Sequence, residues 1–298
     1  MINNDNVNKV AVIGATSFVG ERLLRLLTKT SCHVTAFSRQ TVNANKLGVE
    51  WRRLPLTSDS ILINWVCVAP IWVLPDYFSL MEASGVKRLV VLSSTTRFTK
   101  VDSTDPDEQA LAIQFAEAEA RVQAWSESHG VEWVIIRPTL IYDLGRDKNI
   151  SEIAYFINRF GFFPLFGKAS GLRQPIHAED VASACISALS APFTNRAYNI
   201  SGGEALTYRN MVAVIFSALG RRQRILTVPL WVFRIAMTIL RIFPRFRLWK
   251  VGMAERMNRD MVFDHAEAER DLGFKPRSFD RVVDDLPACF TKKHKSDS

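Results

Sequence analysis

Short apolar runs alternate with stretches of helical period through the first half of the chain. Val10 to Ile13 are β-branched or small and apolar, which predicts a short strand buried on both faces. Gly14 ends that run, and Glu21 to Leu27 carries leucines at helical spacing, with Glu21 in the first turn. The pattern repeats. Strands are expected over Cys32–Ser38, Gly48–Pro55, Ile61–Ala69, Leu89–Leu92 and Val131–Ile136. Helices are expected over Tyr77–Ala83 and Asp105–His129, the second with Pro106 in its first turn and Gly130 at its end. Strand–helix alternation of this kind predicts an α/β fold, a doubly wound parallel sheet.

Beyond Tyr142 the pattern changes. Ile150 to Phe166 is aromatic and apolar; Phe156, Phe160, Phe162, Phe163 and Phe166 suit either an apolar substrate or a core. Residues 229–243 lie between Pro229 and Pro244 and predict a helix with Arg234 and Arg241 on one side. About fourteen residues rise roughly 21 Å, too short to span a bilayer. With Trp231 and Trp249 near its rims, this helix fits an anionic membrane surface or a lid over a substrate lobe.

Composition sharpens the picture only in part. A chain of 298 residues with 48% hydrophobic content supports one large unit, and no linker or repeat divides it. Residues 9–145 are expected to form the sheet core. Residues 146–298 would form a smaller lobe, with returns to the core at 174–190 and 196–203. Cys32, Cys67, Cys185 and Cys289 show no CxxC spacing, so a reducing compartment and no metal site are expected. Met1 to Asn8 is polar, which predicts no signal peptide and a cytoplasmic protein, with peripheral attachment to the inner membrane face as the variant. Net charge is +8, and its excess crowds between Arg221 and Lys250 among apolar residues. That interleaving favours lipid over nucleic acid, for which no motif is present.

Candidate chemistry begins at Gly14-Ala-Thr-Ser-Phe-Val-Gly20. A glycine turn between strand and helix aims free N–H groups and the positive helix end at a phosphate, so a dinucleotide site is the leading expectation. The second strand ends in Ser38 and Arg39 instead of an acidic residue. That pair suits a 2′-phosphate, favouring NADP(H) over NAD(H), although Arg39 could also be a solvated strand end. Ser93-Ser94-Thr95-Thr96 places hydroxyls at the carboxyl end of the fifth strand.

Together with Gly85-Val-Lys-Arg-Leu-Val-Val-Leu-Ser-Ser94, Val134-Ile-Ile-Arg-Pro-Thr-Leu-Ile-Tyr142 and Gln174-Pro-Ile-His-Ala-Glu-Asp-Val-Ala182, the glycine motif resembles the extended short-chain dehydrogenase/reductase superfamily. More narrowly the chain is similar to the NAD-dependent epimerase/dehydratase family. Tyr198-Asn-Ile-Ser-Gly-Gly203 and Asp271-Leu-Gly-Phe-Lys-Pro276 extend the likeness. The resemblance implies that Gly14, Thr16, Ser17, Phe18 and Val19 cradle a pyrophosphate and that Arg39 touches the adenosine phosphate or ribose. It implies Ala69 and Pro70 along the cofactor, and Pro138 and Thr139 near the nicotinamide.

Departures from the family pattern bear on function. Ser17 stands where a glycine is usual, and Leu54-Pro55-Leu56 lacks the usual adenine-side Asp. Where the family carries its proton-transferring tyrosine and, four residues on, its lysine, this chain has Phe115 and Glu119. Phenylalanine has no proton to give, and glutamate has the wrong sign to stabilise a phenolate. Ser94 or Thr95 could still orient a carbonyl or hydroxyl, and Tyr142, Lys168 and His177 are the other candidates for a proton donor. Arg173 and His177 are candidates for the substrate side, Arg173 toward a phosphate.

Two functions compete. One is an NADP-linked oxidoreductase or epimerase-like enzyme acting on a sugar nucleotide or lipid-like small molecule. The other is a silent NAD(P)H-binding protein attached to a membrane or a membrane complex, as in the resembling accessory subunit of respiratory complex I. The oligomeric state is not specified by these residues.

Overall fold

The computed structural model describes residues 9–30, 32–39, 48–53, 61–232 and 251–281. Leu54–Leu56, Cys289 and nearly all of the expected 229–243 helix, including Arg234 and Arg241, lie outside the described residues.

A seven-stranded sheet carries the fold. Its strands are β1 (Lys9–Ile13), β2 (His33–Ser38), β3 (Glu50–Arg53), β4 (Asn64–Cys67), β5 (Arg88–Leu92), β6 (Glu132–Pro138) and β11 (Arg196–Ile200). Their order is β11-β6-β5-β4-β1-β2-β3, and every neighbouring pair is parallel. The chain runs outward from β1 to β2 and β3, then crosses back to β4 on the other side. The order reverses beside β1, and a crevice opens at the strands' carboxyl ends there. Register aligns those ends, with Ile13 opposite both Phe37 and Cys67.

Both sheet faces are covered, which is why the strands read as unbroken apolar runs. α1 (Phe18–Leu27) and α6 (Ala178–Ser190) cover one face; Leu23, Leu24, Val181 and Cys185 join Val10, Val12 and Val66 in that core. α4 (Pro106–Ser128) and α2 (Phe78–Ala83) lie on the other, where Trp65, Leu89, Val91, Val122 and Ile135 pack together. Asp105 caps α4 by accepting the Asp107 N–H at 3.0 Å, and Pro106 and the acidic pair Asp107 and Glu108 suit its first turn.

The expected Ile61–Ala69 strand is shorter, because the chain turns at Pro70 into a 3-10 segment, Ile71–Tyr77, that precedes α2. Its buried Ile71 and Leu74 recur every three residues, the period of that helix. The aromatic stretch divides. α5 (Ile150–Phe160) ends at Gly161, and β8 (Phe163–Phe166) pairs in parallel with β13 (Ile225–Val228). Phe163 and Phe166 enter a second core with Ile153, Ile157 and α7 (Tyr208–Ala218), whereas Phe160 and Phe162 are exposed. No described helix is long and apolar enough to cross a membrane.

Candidate functional site

The Gly14 turn is built by close approach. Gly14 has φ +82°, and a Cβ there would overlap the Ala69 backbone nitrogen; a Cβ on Gly20 would overlap the Gly14 carbonyl oxygen. Only glycine lets the turn touch both the end of β4 and the first turn of α1. Ser17, at the position where the family has glycine, has φ −72° and ψ 161°. It is the N-cap of α1, and its Oγ accepts the Gly20 N–H at 3.0 Å. A serine therefore fits without strain. The N–H groups of Phe18 and Val19 are left in the first turn, where no helical carbonyl precedes them. This cradle fits a dinucleotide pyrophosphate.

Ala69 and Pro70 follow directly, beside Gly14. At the end of β2, Ser38 is buried and Arg39 is exposed. Burial raises the Tyr77 phenol's pKa, and the Arg39 charge opposes that rise, so the two side chains are in electrostatic reach. Arg39 thus stands exposed just past the carboxyl end of β2.

The ends of β5 and β6 are held together by backbone. Ser93 N–H donates to Ile136 O at 2.7 Å and Thr95 N–H to Pro138 O at 3.1 Å. The Thr95 hydroxyl also donates to Pro138 O, at 3.0 Å, and Thr139 donates its hydroxyl to Gln174 O at 2.5 Å. Both hydroxyls are committed to architecture. Ser94 is half-buried where Thr95 is buried; its hydroxyl donates to Thr96 Oγ1 at 2.8 Å and accepts the Thr96 N–H at 3.1 Å.

Glu119 does not stand alone. It is fully enclosed, accepts the Ser93 hydroxyl at 2.6 Å, and pairs with two arginines. Arg137, at the end of β6, donates through Nε at 3.0 and 3.1 Å and through a terminal nitrogen at 2.6 Å. Arg97, on the short α3 (Thr96–Thr99), donates a terminal N–H to the same carboxylate. Phe115 meets Trp72 edge-on, ring centroids 5.2 Å apart, and packs on the sheet core. Phe115 is thus a packing ring, and Glu119 the centre of a buried charge cluster.

The remaining candidates fall outside this cluster. Tyr142 on β7 (Ile141–Tyr142) is fully enclosed, its ring edge-on to His177 at 5.2 Å and to Phe279 at 5.1 Å. His177 on β10 (Ile176–His177) is equally enclosed and caps α6, its Nδ1 accepting the Glu179 N–H at 3.2 Å. Burial, reinforced by Arg277 and Arg22, pushes its pKa down to about 4, so at neutral pH it is uncharged. Arg173 is buried and donates to the carbonyls of Leu172 and Arg259, both at 2.7 Å, and of Arg256. It stacks on Tyr208 at 5.5 Å and serves as a clamp on the lobe backbone, so it is not the open phosphate contact expected. Lys168 is exposed. Burial also pushes the Cys67 and Cys185 thiols up to about 12, and no metal-ligand cluster occurs among the described residues.

Arg97 and Arg137 are the site residues that sequence reasoning passed over. The available signal was electrostatic. A glutamate inside a helix face that meets a sheet requires a cation, and Arg137 ends the apolar β6 run. A polar cavity of about 210 Å³ is lined by Thr99, Ser103, Glu108, Glu255 and Arg256 among others, from α4, α8 (Val251–Arg256) and the segment before α4.

A parallel sheet whose strand order reverses beside β1, with a glycine-turn cradle at that point, defines a doubly wound α/β fold of the dinucleotide-binding type. Residues 76–201 match the NAD dependent epimerase/dehydratase family. The chain is 22% identical to the UDP-glucose 4-epimerase of Vibrio cholerae over 90% of each chain. It is 23% identical to subunit 9 of the mitochondrial NADH dehydrogenase [ubiquinone] 1 alpha subcomplex of Arabidopsis thaliana, over 65% of this chain and 48% of that one. Among solved structures, a UDP-glucose 4-epimerase of Thermotoga maritima with UDP-glucose shares the fold at TM-score 0.64 and 15% identity, covering 92% of this chain and 96% of that one.

Proposed function

We propose that the protein is an NADP(H)-linked oxidoreductase acting on a carbonyl or hydroxyl of a sugar-nucleotide or lipid-like substrate, without the family's tyrosine–lysine proton relay. The observation that carries this reading is the intact cradle of Gly14, Ser17 and Gly20 beside a β5–β6 end where Glu119 is bound by Arg97 and Arg137. Phe18 and Val19 would hold the pyrophosphate through their N–H groups, and Arg39 the 2′-phosphate. The bound nicotinamide would supply hydride transfer. Ser94 would hold the reacting oxygen, and Arg97 and Arg137 would offset negative charge developing on it. The similarity to sugar-nucleotide epimerases supports the substrate class.

Calorimetric titration with NADPH and NADH tests the cofactor, and NADPH consumption with pooled keto sugar nucleotides and apolar ketones tests the reaction. Turnover is expected. Tight NADPH binding without turnover would leave the second reading, a silent accessory protein, which Phe115 and the likeness to the NADH dehydrogenase subunit favour.

Contact with an anionic membrane belongs to the same proposal. Exposed Phe160 and Phe162 cluster around Phe156, at 4.6 and 5.7 Å, and Arg159 lies over Phe160. Rings beside a cation suit the interfacial zone of a bilayer. Co-sedimentation with anionic but not neutral liposomes is expected; equal pelleting with neither would refute it.

A further inference from the structure

Two charged residues follow the glycine turn directly, and both are gripped from a distant segment. Arg22 reaches across to Asp143, donating through Nε at 3.1 Å and through a terminal nitrogen at 2.9 Å. It also approaches Glu179, at the start of α6, at 3.7 Å. Arg146, three residues past Asp143, returns the contact and pairs with Glu21 at 2.9 Å. Glu21 and Asp143 thus meet Arg22 and Arg146, and these four charges sum to zero at the first turn of α1.

The segment that carries Arg146 is itself held. The Arg146 and Asp147 N–H groups donate to Asp143 O at 2.9 and 3.1 Å. Gly145, at φ +84°, donates its N–H to Ser151 Oγ at 2.8 Å. The buried Asp147 carboxylate accepts the Asn149 N–H at 2.8 Å and the Ser151 hydroxyl at 2.5 Å. A guanidinium on so fixed a turn needs little further ordering to meet its partner. Asp143 is enclosed and anchors the turn, whereas Arg146 and Glu21 are 33% and 43% exposed, open to solvent and its ions.

Glu21 sits at a place of conflict. A carboxylate in the first turn stabilises an empty helix, because it meets the positive end of the helix dipole. A pyrophosphate received by the Phe18 and Val19 N–H groups uses that same end, and Glu21 is only three residues, roughly 4.5 Å of helical rise, from Phe18. Left uncompensated, its charge would oppose the ligand. We propose that Arg146 is a positioning residue for dinucleotide binding that acts through Glu21. It holds the carboxylate and cancels its charge, so that a pyrophosphate meets the helix end without a competing anion. This rests on the reading of the Gly14 turn as a pyrophosphate cradle. The Asp143–Arg22 bond brings the two segments together, and Arg146 sets the field.

The test titrates the full chain with NADPH and NADH by calorimetry at about 0.01 M and about 1 M salt, where charges act over roughly 30 and 3 Å. Arg146→Gln should weaken both nucleotides alike, by about three- to fivefold at low salt and less than about twofold at high salt. Adding Glu21→Gln to that variant should restore wild-type affinity, and Arg146→Lys should keep most of it. Exposed ion pairs contribute little to folding, so these variants keep the wild-type fold. A packing role alone would give a loss that ignores salt and is not rescued by Glu21→Gln. Either result, or unchanged affinity of Arg146→Gln at low salt, overturns this proposal while the wild type still binds. Wild type that binds neither nucleotide overturns the cradle reading, and this proposal falls with it.

Discussion

Glu119 on α4 grips Arg137 at the end of β6 through both carboxylate oxygens. Glu119→Lys would bring a third cation against Arg97 and Arg137 in a fully enclosed space. Removing one partner of a buried pair typically costs about 3–5 kcal/mol. A drop of that size in unfolding free energy is expected from urea denaturation. Phe115→Tyr combined with Glu119→Lys should therefore not recover tyrosine–lysine chemistry. A stable double variant that epimerises UDP-glucose would show that the cluster is dispensable.

The sheet was largely legible because two-sided burial writes itself as unbroken apolar runs, as in Val10–Ile13 and Val131–Ile136. The capped ends of α4 were legible for the same local reason. Arg173 was not. An arginine before a return strand looks the same in sequence whether it meets a ligand phosphate or three backbone carbonyls, and the carbonyls of Arg256 and Arg259 come from more than eighty residues away. Glu119 was visible as an anomaly, but its partners were not, since Arg97 and Arg137 reach it across twenty-two and eighteen positions. Local pattern reports strands and caps. Long-range ion pairing leaves no period to find.

Ser17 separates capping from phosphate approach. Its Oγ satisfies the Gly20 N–H, so Ser17→Ala should lower stability by about 1 kcal/mol, and Ser17→Gly by only a few tenths. Because φ is −72° at this position, glycine's left-handed freedom is not needed. Thermal unfolding of the two variants checks the difference. A larger loss for glycine than for alanine would mean that the cap bond is not the main contribution.

Arg39 stands exposed at the end of β2, with Tyr77 in electrostatic reach. If it meets a 2′-phosphate, Arg39→Asp should weaken NADPH at least tenfold while leaving NADH within about threefold, since a charge-assisted contact is worth roughly 1.5–3 kcal/mol. Calorimetric titration of both nucleotides reads the difference. Equal weakening would refute the assignment.

His177 predicts an acid-side loss of stability. Its pKa falls from 6.5 to about 4 in the folded chain because burial, with Arg277 and Arg22 nearby, disfavours the charged ring. Below pH 6.5 the unfolded chain therefore binds a proton that the folded chain refuses. The native state keeps its full advantage above that pH and loses it progressively as pH falls toward 4. A gap of this size corresponds to about 3 kcal/mol. His177→Asn keeps a side chain able to cap α6 but removes the titration. Denaturation free energies of the wild type should fall more steeply between pH 7 and 4 than those of the variant, the two curves converging as the wild type loses its advantage. Parallel curves across that range would show that His177 is not the group responsible.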